Sequence, residues 1–407
     1  MKRLTAIFMT AVMLIAVLTP YTIKNAYAET ELPAIIAEGA ILIDAGNGTV
    51  LYDKNADMQL EPASTTKMIT CILALENLEL DDVVTIDAET PYTEGSRVYL
   101  EEGEKITVRD LLYALMLESA NDAAVALAKE ISGSTEAFAK LMNKKAKAIG
   151  ATSTHFVNPN GLHEEGHTVS AHDLAMIAKY GMQNKTFRKL VSTYKHQMQA
   201  TNLRPERVET PMYNTNRLLY DTATKLDVNG VARTPKYDGI LGVKTGYTSS
   251  AGGCLVAAAE RNGTTLIAVA LKSSDLGRFS DCIALLDYGF ANYHSAQAIA
   301  KGTDVGKVPV KWGAVGKVDA VVAENAYVTL PIEASSAIVK TEIVFDKHVK
   351  APIKKGQTIG KVEAYEGDTL RGSVDIVAKS AVAKGTILSG IGIGNSVAYV
   401  IFAVLAI

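Results

Sequence analysis

The chain has 407 residues but only three cysteines, Cys71, Cys254 and Cys282. Because they form neither a Cys-x-x-Cys pair nor a zinc-binding spacing, the sequence predicts no zinc site and no network of disulfides, although a single disulfide stays open. Lysine and arginine form no strongly basic run, and the formal net charge is −3. Nucleic acid is therefore not an expected partner.

The first residues are typical of a signal peptide. Lys2 and Arg3 supply a positive start, residues 4–18 carry no charge, and Ala26 and Ala28 form a small-x-small cleavage site. The sequence therefore predicts a signal peptide over residues 1–28, with an uncleaved membrane anchor as the alternative. Under either interpretation the protein is exported, and its remaining residues lie outside the cytoplasm.

The other end of the sequence lacks charge. No charged residue follows Lys384, and residues 396–407 are nearly all apolar. That stretch is too short to span a bilayer, which takes about 20 residues. Residues 385–407 are long enough, but they contain four glycines and no basic residue follows them. We expect residues 386–407 to form a membrane-anchoring tail, interfacial or inserted; a buried terminal strand or helix is the alternative.

Between these ends, apolar residues are plentiful, at 48% of the whole chain, which favours two domains. In the first, residues 29–295, the predicted strands are 39–44, 49–53, 240–248, 254–259 and 264–271, and the predicted helices are 64–78, 107–117, 122–131, 135–149 and 171–182. Strands joined this closely are antiparallel, so we expect an α/β fold of the α+β class, with one antiparallel sheet flanked by helices. Residues 296–385 predict a second, smaller all-β domain, with strands at 317–324, 326–332, 337–345, 357–365 and 370–377.

The first of three short motifs is Ser64-Thr65-Thr66-Lys67, at the start of a predicted buried helix. A spacing of three residues places Lys67 on the same helical face as Ser64. A serine hydroxyl needs a neighbouring base to act as a nucleophile, and burial lowers the pKa of a lysine so that its neutral amine can accept the proton. The free N–H groups at a helix start can also stabilise an oxyanion. The alternative is an N-capping serine beside a solvated lysine.

The second motif, Ser119-Ala120-Asn121, lies in the break between two predicted helices. Its hydroxyl and carboxamide are suited to relay a proton and to hold a substrate amide. The alternative is a plain turn, because Ser and Asn favour turns.

The third motif, Lys244-Thr245-Gly246, lies on the strand predicted from residue 240. Lys244 adds positive charge, Thr245 offers a hydroxyl to a carboxylate, and Gly246 allows the backbone of an extended peptide to approach closely. The alternative is an edge strand that a lysine keeps soluble.

If the non-catalytic alternatives were correct, all three motifs would have arisen by coincidence, in this order, at a helix start, in a break between helices and on a strand. Class A β-lactamases and penicillin-binding proteins share such a set of motifs. Over residues 36–290 the chain resembles the low-molecular-mass penicillin-binding proteins of the D-Ala-D-Ala carboxypeptidase family, peptidase family S11. The resemblance is carried by STTKM at 64–68, ESANDA at 118–123, HFVNPNGL at 155–162 and VKTGYT at 243–248. The later β region and the apolar tail resemble the C-terminal domain and membrane anchor of that family.

The resemblance implies catalytic roles for Ser64, Lys67, Ser119 and Asn121, and substrate-binding roles for Lys244, Thr245, Gly246 and Tyr247. Ser64 would be acylated by the penultimate D-Ala of a peptidoglycan pentapeptide stem, with Lys67 as the base and the N–H groups of Ser64 and Tyr247 as the oxyanion hole. Water would then hydrolyse the acyl-enzyme, and β-lactam antibiotics would be covalent inhibitors. No metal or cofactor is implied.

Some residues depart from the family pattern. Tyr247 stands where some members have a histidine, and the arginine that some members carry near residues 214–216 is represented by Arg217, with Arg278 as another candidate. We interpret His155 as a structural core residue, because a lone histidine needs a partner to be catalytic.

Other functions stay open at this point. A class A-like β-lactamase needs a glutamate to activate the deacylating water, and Glu164 and Glu165 lie in a loop, but we interpret both as surface carboxylates. A non-catalytic cell-wall-binding protein is disfavoured because every proposed catalytic side chain is present. An endopeptidase that cuts cross-links would share the same site.

Overall fold

The computed structural model describes residues 31–209 and 211–386, together with Val400 and Val404. The predicted signal peptide, residues 1–28, lies outside the described residues, as does all of the predicted tail except residues 386, 400 and 404. Within the described part of the chain, no helix is long and apolar enough to cross a membrane.

Helices and strands are each numbered in the order in which they occur in the chain. The α-helices are α1 (Lys67–Asn77), α2 (Val108–Leu117), α3 (Asn121–Ser132), α4 (Thr135–Ala148), α5 (Ala171–Gly181), α6 (Lys185–Ser192) and α7 (Gly277–Asn292). The strands of the first domain are β1 (Gly39–Asp44), β2 (Val50–Lys54), β3 (Val83–Thr85), β4 (Lys105–Thr107), β5 (Lys195–Gln197), β6 (Pro211–Tyr213), β7 (Leu226–Val228), β8 (Val231–Arg233), β9 (Ile240–Thr248), β10 (Gly252–Arg261) and β11 (Thr264–Ser273). The later strands are β12 (Tyr293–Ile299), β13 (Asp304–Pro309), β14 (Lys317–Val322), β15 (Ala326–Pro331), β16 (Val339–Phe345), β17 (Thr358–Glu366) and β18 (Thr369–Ala378).

A five-stranded antiparallel sheet of order β2-β1-β11-β10-β9 organises the first domain. The predicted sheet, built from both ends of this region, is therefore confirmed. β1 is buried along its whole length. Ile41 and Ile43 pack into one hydrophobic cluster with α1 and α2, whereas Ala40 and Leu42 pack into another with α7. Burial on both faces explains why this strand is a continuous apolar run in the sequence.

Capping residues define several helix ends as the sequence predicted. The side chain of Thr107 accepts a hydrogen bond from the N–H of Asp110 at 3.2 Å, which caps α2. Gly133, with φ of 77°, ends α3 in the left-handed conformation that favours glycine. The sequence interpretation did not identify α6 and α7.

The start of the helix that contains the first motif differs from expectation. The sequence predicted a helix over residues 64–78, but Ala63–Thr66 forms a 3₁₀ turn and the α-helix begins only at Lys67. Thr65 donates both its N–H, at 3.2 Å, and its hydroxyl, at 2.7 Å, to the carbonyl oxygen of Pro62. This pair of bonds to the residue three positions earlier closes the tighter 3₁₀ turn.

The second domain is all β, as predicted. Its five-stranded antiparallel sheet has the order β13-β14-β18-β17-β16, and β12 pairs with β15. The sequence interpretation missed β12 and β13. β12 crosses the predicted boundary between residues 295 and 296.

A buried carboxylate at the end of β1 joins the two domains. Asp44 accepts hydrogen bonds from the hydroxyl of Ser295 and from that of Thr329, the latter at 2.8 Å. The side-chain amide of Asn47 donates to Tyr327 O at 3.2 Å and to Thr329 Oγ1 at 3.0 Å. These bonds attach the hairpin of the first domain to strands β12 and β15 of the second.

We expect Asp44→Ala to lower the free energy of unfolding by about 1–3 kcal/mol, because the buried hydroxyl of Thr329 and the half-buried hydroxyl of Ser295 lose their acceptor. Urea unfolding followed by circular dichroism measures the change. Asp57→Ala, at an exposed position after β2, is the matched control and should change stability by less than about 0.5 kcal/mol. Equal stability of the two variants would contradict the role given to Asp44.

Candidate active site

Ser64 and Lys67 meet across the 3₁₀ turn, with Lys67 Nζ 2.9 Å from Ser64 Oγ. A distant loop supports this turn through Gly161, whose φ is 87°. A Cβ at Gly161 would lie 1.8 Å from the carbonyl oxygen of Ala63, so only glycine fits there. The position of the first motif thus depends on a close backbone contact far away in the sequence.

The Lys67 amine is fully buried and has two further neighbours, Asn121 Oδ1 and Asn160 O, each at 2.6 Å. A neutral amine has two N–H donors and one lone pair, and carbonyl oxygens can only accept. These two oxygens therefore take both N–H groups, and the lone pair is left for the hydroxyl of Ser64. In its neutral state this amine is placed to accept the proton of Ser64.

Electrostatics favours that neutral state. Burial lowers the pKa of Lys67 well below its usual value, and the nearby Lys244 lowers it further. The carboxylate of Asp122 acts in the opposite direction. Burial also raises the pKa of Asp122, which accepts hydrogen bonds from the N–H groups of Leu100 at 3.1 Å and Val98 at 3.3 Å.

The second motif presents its carboxamide in a defined orientation. Asn121 Nδ2 donates to Glu94 O at 2.7 Å, so Oδ1 is the atom that faces Lys67, and the backbone N–H of Asn121 donates to Ser96 O at 2.7 Å. Ser119 is 8% exposed and has φ of 59°, an uncommon conformation for a residue other than glycine. This segment is therefore more than a plain turn, because the side chain of Asn121 contacts the buried amine.

The third motif lies on β9, an edge strand of the central sheet. Lys244 is only 1% exposed, so the alternative of a lysine that keeps the edge strand soluble is wrong. Burial, with a smaller effect from the Arg278 guanidinium, lowers the pKa of Lys244 to about 7. Thr245 Oγ1 lies 2.6 Å from Thr215 Oγ1, which places two hydroxyls together beside this strand.

Gly246 brings the strand against the serine turn. A Cβ at this position would lie 3.0 Å from Ser64 N and 3.1 Å from Pro62 O, closer than most side chains tolerate. Tyr247 follows with its side chain 59% exposed. The close approach places the backbone of the third motif next to the N–H of Ser64.

Arg278, rather than Arg217, donates a hydrogen bond to the third motif. Its Nη1 donates to Gly246 O at 2.7 Å, and its Nη2 pairs with Asp275 at 2.8 Å. Arg217 instead donates to Thr224 Oγ1 at 3.2 Å. Of the two sequence candidates, Arg278 therefore lies beside Lys244-Thr245-Gly246.

Two residues near the site escaped the sequence interpretation as individual contributors. Asn160 supplies a backbone acceptor to Lys67, and the buried His167 has Nε2 3.0 Å from Thr66 Oγ1. Burial lowers the pKa of His167 to about 4, so it is neutral at pH 7. The sequence signal that could have revealed Asn160 was the segment HFVNPNGL, but its turn contributes a backbone carbonyl oxygen rather than a recognisable functional side chain.

The interpretation of His155 as a core residue is wrong. Its side chain is exposed, with Nδ1 3.0 Å from Gly166 O.

The potential metal ligands and the three cysteines were compared with the predictions from the sequence. In residues 31–209 and 211–386, no group of three or more His, Cys, Asp or Glu side chains is placed to hold a metal ion. The three cysteines are buried and free, so the disulfide left open by the sequence is not formed.

Two family models match this chain. A model of D-alanyl-D-alanine carboxypeptidases, peptidase family S11, matches residues 25–275, and a model of the C-terminal domain of penicillin-binding protein 5 matches residues 293–384. The chain belongs to the D-alanyl-D-alanine carboxypeptidase family. The resemblance inferred from the motifs is thereby confirmed.

Individual members of this carboxypeptidase family agree. The D-alanyl-D-alanine carboxypeptidase DacF of Bacillus subtilis (strain 168) is 34% identical over 389 residues, which cover 94% of each chain. DacA of Escherichia coli (strain K12) is 30% identical over 83% of this chain and 82% of its own. The crystal structure of penicillin binding protein 5 from Haemophilus influenzae has a TM-score of 0.66 at 28% identity, over 87% of this chain and 99% of that one. The similarity therefore extends through both domains.

We expect Lys67→Arg to slow acylation of Ser64 by about 10²–10⁴-fold, because a guanidinium keeps its proton and offers no lone pair. Time courses of labelling with a fluorescent penicillin measure this rate. Lys140→Arg, at an exposed position on α4, is the control and should react like the wild type. An undiminished rate in Lys67→Arg would rule out the amine as the base.

We expect Gly246→Ala to slow the same labelling roughly 10–100-fold, because the added Cβ separates β9 from the serine turn by a few tenths of an ångström or more. Thermal unfolding distinguishes this local effect from a general loss of structure. A variant that unfolds like the wild type and also reacts at the wild-type rate would show that the close approach is unimportant.

Proposed function

We propose that this protein is a serine-type D-Ala-D-Ala carboxypeptidase that releases the terminal D-Ala from peptidoglycan pentapeptide stems. The observation that carries the proposal is the position of Lys67 Nζ, 2.6 Å from two carbonyl oxygens and 2.9 Å from Ser64 Oγ. In the neutral amine, these oxygens take both N–H groups, and the lone pair is directed at the hydroxyl of Ser64. Family membership identifies the substrate class, which this geometry alone does not.

In the first step, Ser64 Oγ attacks the carbonyl carbon of the penultimate D-Ala and gives its proton to Lys67 Nζ. The N–H groups of Ser64 and Tyr247 are proposed to stabilise the oxyanion. The peptide C–N bond then breaks, and its nitrogen receives a proton from Lys67, with Ser119 as the relay. Asn121 holds Lys67 in place and binds the substrate amide.

The carboxylate of the terminal D-Ala is assigned to the third motif. Lys244 and Arg278 bring positive charge to this side of the site, and the hydroxyls of Thr245 and Thr215 lie 2.6 Å apart there. The pKa of about 7 belongs to Lys244 in the free enzyme. A bound carboxylate favours the charged lysine, because opposite charges stabilise each other in a buried site.

Water then hydrolyses the acyl-enzyme and regenerates Ser64. β-Lactam antibiotics are proposed to acylate the same hydroxyl and to form an adduct that is hydrolysed slowly. For a class A-like β-lactamase, Glu164 or Glu165 would have to activate the deacylating water, yet both are exposed, as expected of surface carboxylates. A non-catalytic cell-wall-binding protein would have no need of the buried base.

The proposed location is the extracytoplasmic face of the cell membrane, where peptidoglycan stems are accessible. The charged start and apolar run of residues 1–28 support export. The uncharged residues 386–407 support attachment to the membrane, either on its surface or inserted.

We expect purified wild-type protein to release D-Ala from a soluble pentapeptide and Ser64→Ala to release none. Mass spectrometry after penicillin treatment should locate a long-lived adduct on Ser64. Ser250→Ala, at an exposed position after β9, is the control and should keep both properties. Rapid penicillin turnover without a lasting adduct would favour a β-lactamase instead, and cleavage of cross-linked dimers without D-Ala release would favour an endopeptidase.

A further inference from the structure

Lysines cluster at one edge of the second domain. Residues 311–317, 347–355 and 379–384 contain eight lysines and no carboxylate. We call these three segments the lysine–tryptophan face, because the only tryptophan of the chain lies among them. The eight lysines, all exposed, are Lys311, Lys317, Lys347, Lys350, Lys354, Lys355, Lys379 and Lys384.

Backbone contacts hold the segments of this face together. Lys311 pairs with Lys350 in a parallel bridge, and Gly313 pairs with Lys384 in an antiparallel one. Ile353 N and Val382 N each donate to the carbonyl oxygen of the other residue at 2.9 Å. The cluster is therefore a built surface of the fold rather than a run of neighbouring residues in the sequence.

The positive charge of the face is not neutralised within the domain. In its described residues, the ion pairs of the second domain are Lys307–Asp319 and Arg371–Glu366, and neither includes a lysine of the face. Asp346 borders the face and is the nearest acidic residue in the sequence of its middle segment. Such a surface attracts an extended array of negative charge.

Apolar side chains project from the middle of the same face. Trp312 is 43% exposed and Val315 is 53% exposed, and both lie in the turn between β13 and β14. Trp312 has φ of 61°, a conformation that is unusual for a bulky residue. An exposed indole in a strained turn is better explained by a binding role than by packing.

The position of this turn in the chain favours a lipid bilayer as the partner. Gly385 N donates to Trp312 O at 2.8 Å, so the uncharged segment that follows Lys384 begins directly beside the tryptophan. Lysines favour anionic headgroups, and tryptophan favours the boundary between headgroups and acyl chains. A soluble polyanion would use the lysines, but it would leave the indole and the apolar segment without a partner.

We propose that the lysine–tryptophan face docks on the surface of an anionic lipid bilayer, with its lysines at the headgroups and with Trp312 and Val315 in the interfacial layer. The inference rests on the proposed membrane location, but it assigns the contact to the folded domain in addition to the tail. Because Asp44 and Asn47 bind the two domains together, such docking also sets where the active site lies relative to the membrane.

The single tryptophan makes the test direct, because its emission reports only on this face. Full-length protein is mixed with vesicles of phosphatidylglycerol and phosphatidylcholine, or of phosphatidylcholine alone. We expect a blue shift of the emission, and quenching by brominated acyl chains, with the anionic vesicles, and loss of both as salt is raised. Co-sedimentation with vesicles while the emission stays unchanged would mean that the tail binds alone, and the proposal would be wrong.

Charge variants distinguish binding by the lysine–tryptophan face from a general effect of the protein's net charge. Lys311→Gln, Lys350→Gln and Lys384→Gln together should lower the partition coefficient on anionic vesicles roughly a hundredfold. The matched control combines Lys301→Gln, Lys340→Gln and Lys361→Gln, which alters exposed lysines of the same domain outside the face, and it should bind like the wild type. Equal losses in the two variants would overturn the proposal.

A variant of the indole completes the test. Trp312→Asn keeps a residue that tolerates the left-handed backbone, and co-sedimentation should show weaker binding. All variants should release D-Ala from a soluble pentapeptide at the wild-type rate, so failure of the proposed activity is separable from failure of docking. An emission shift with a soluble glycerol-phosphate polymer, and none with vesicles, would identify a wall polymer as the partner and refute the bilayer.

Discussion

The candidate site depends on one buried amine, Lys67 Nζ, which lies within hydrogen-bonding distance of three oxygen atoms. Lys67 has no exposure to solvent, and its hydrogen bonds reach Asn121 from the second motif and Asn160 from a distant loop. A charged lysine would be costly there, since burial penalises the charged form. The same contacts also join segments of the first domain that are far apart in the sequence.

The rest of the first domain supports this amine by close packing. Gly161 lets its loop touch the carbonyl of Ala63, and Gly246 lets β9 touch the turn at Ser64. Asn121 is oriented through Glu94, so that its oxygen rather than its nitrogen meets the lysine. The two glycine contacts are possible because glycine has no side chain. The contact of Asn121 depends on the orientation of its amide, which the bond to Glu94 fixes.

Among the residues that the structure describes, the second domain adds no side chain to these contacts. Asp44 at the end of β1 and Asn47 in the following turn bind it through Ser295, Tyr327 and Thr329. The buried groups Asp44 and Thr329 give this junction a defined geometry, because an unpaired buried group is costly. The junction thereby links the proposed membrane contact to the position of the active site.

Periodicity predicted the fold well where one signal dominated. The central sheet, the helices at residues 108–148 and the strands from β14 onward were found because alternating or helical apolar patterns were flanked by caps and turns. α6 and α7 were missed, as were the short strands β3 to β8 and the strands β12 and β13. The start of α1 was misplaced because the bonds from Thr65 to Pro62 are invisible in an apolar pattern.

By itself, the sequence determined the identity and order of the three motifs, and with them the family. Only the tertiary structure decided how the motifs meet: which oxygen of Asn121 faces Lys67, that Asn160 contributes its backbone, that Arg278 rather than Arg217 reaches the third motif, and that His155 is exposed. The physical reason is that backbone carbonyls and side-chain orientations have no sequence signature. They become functional only when residues far apart in the chain are packed within hydrogen-bonding distance.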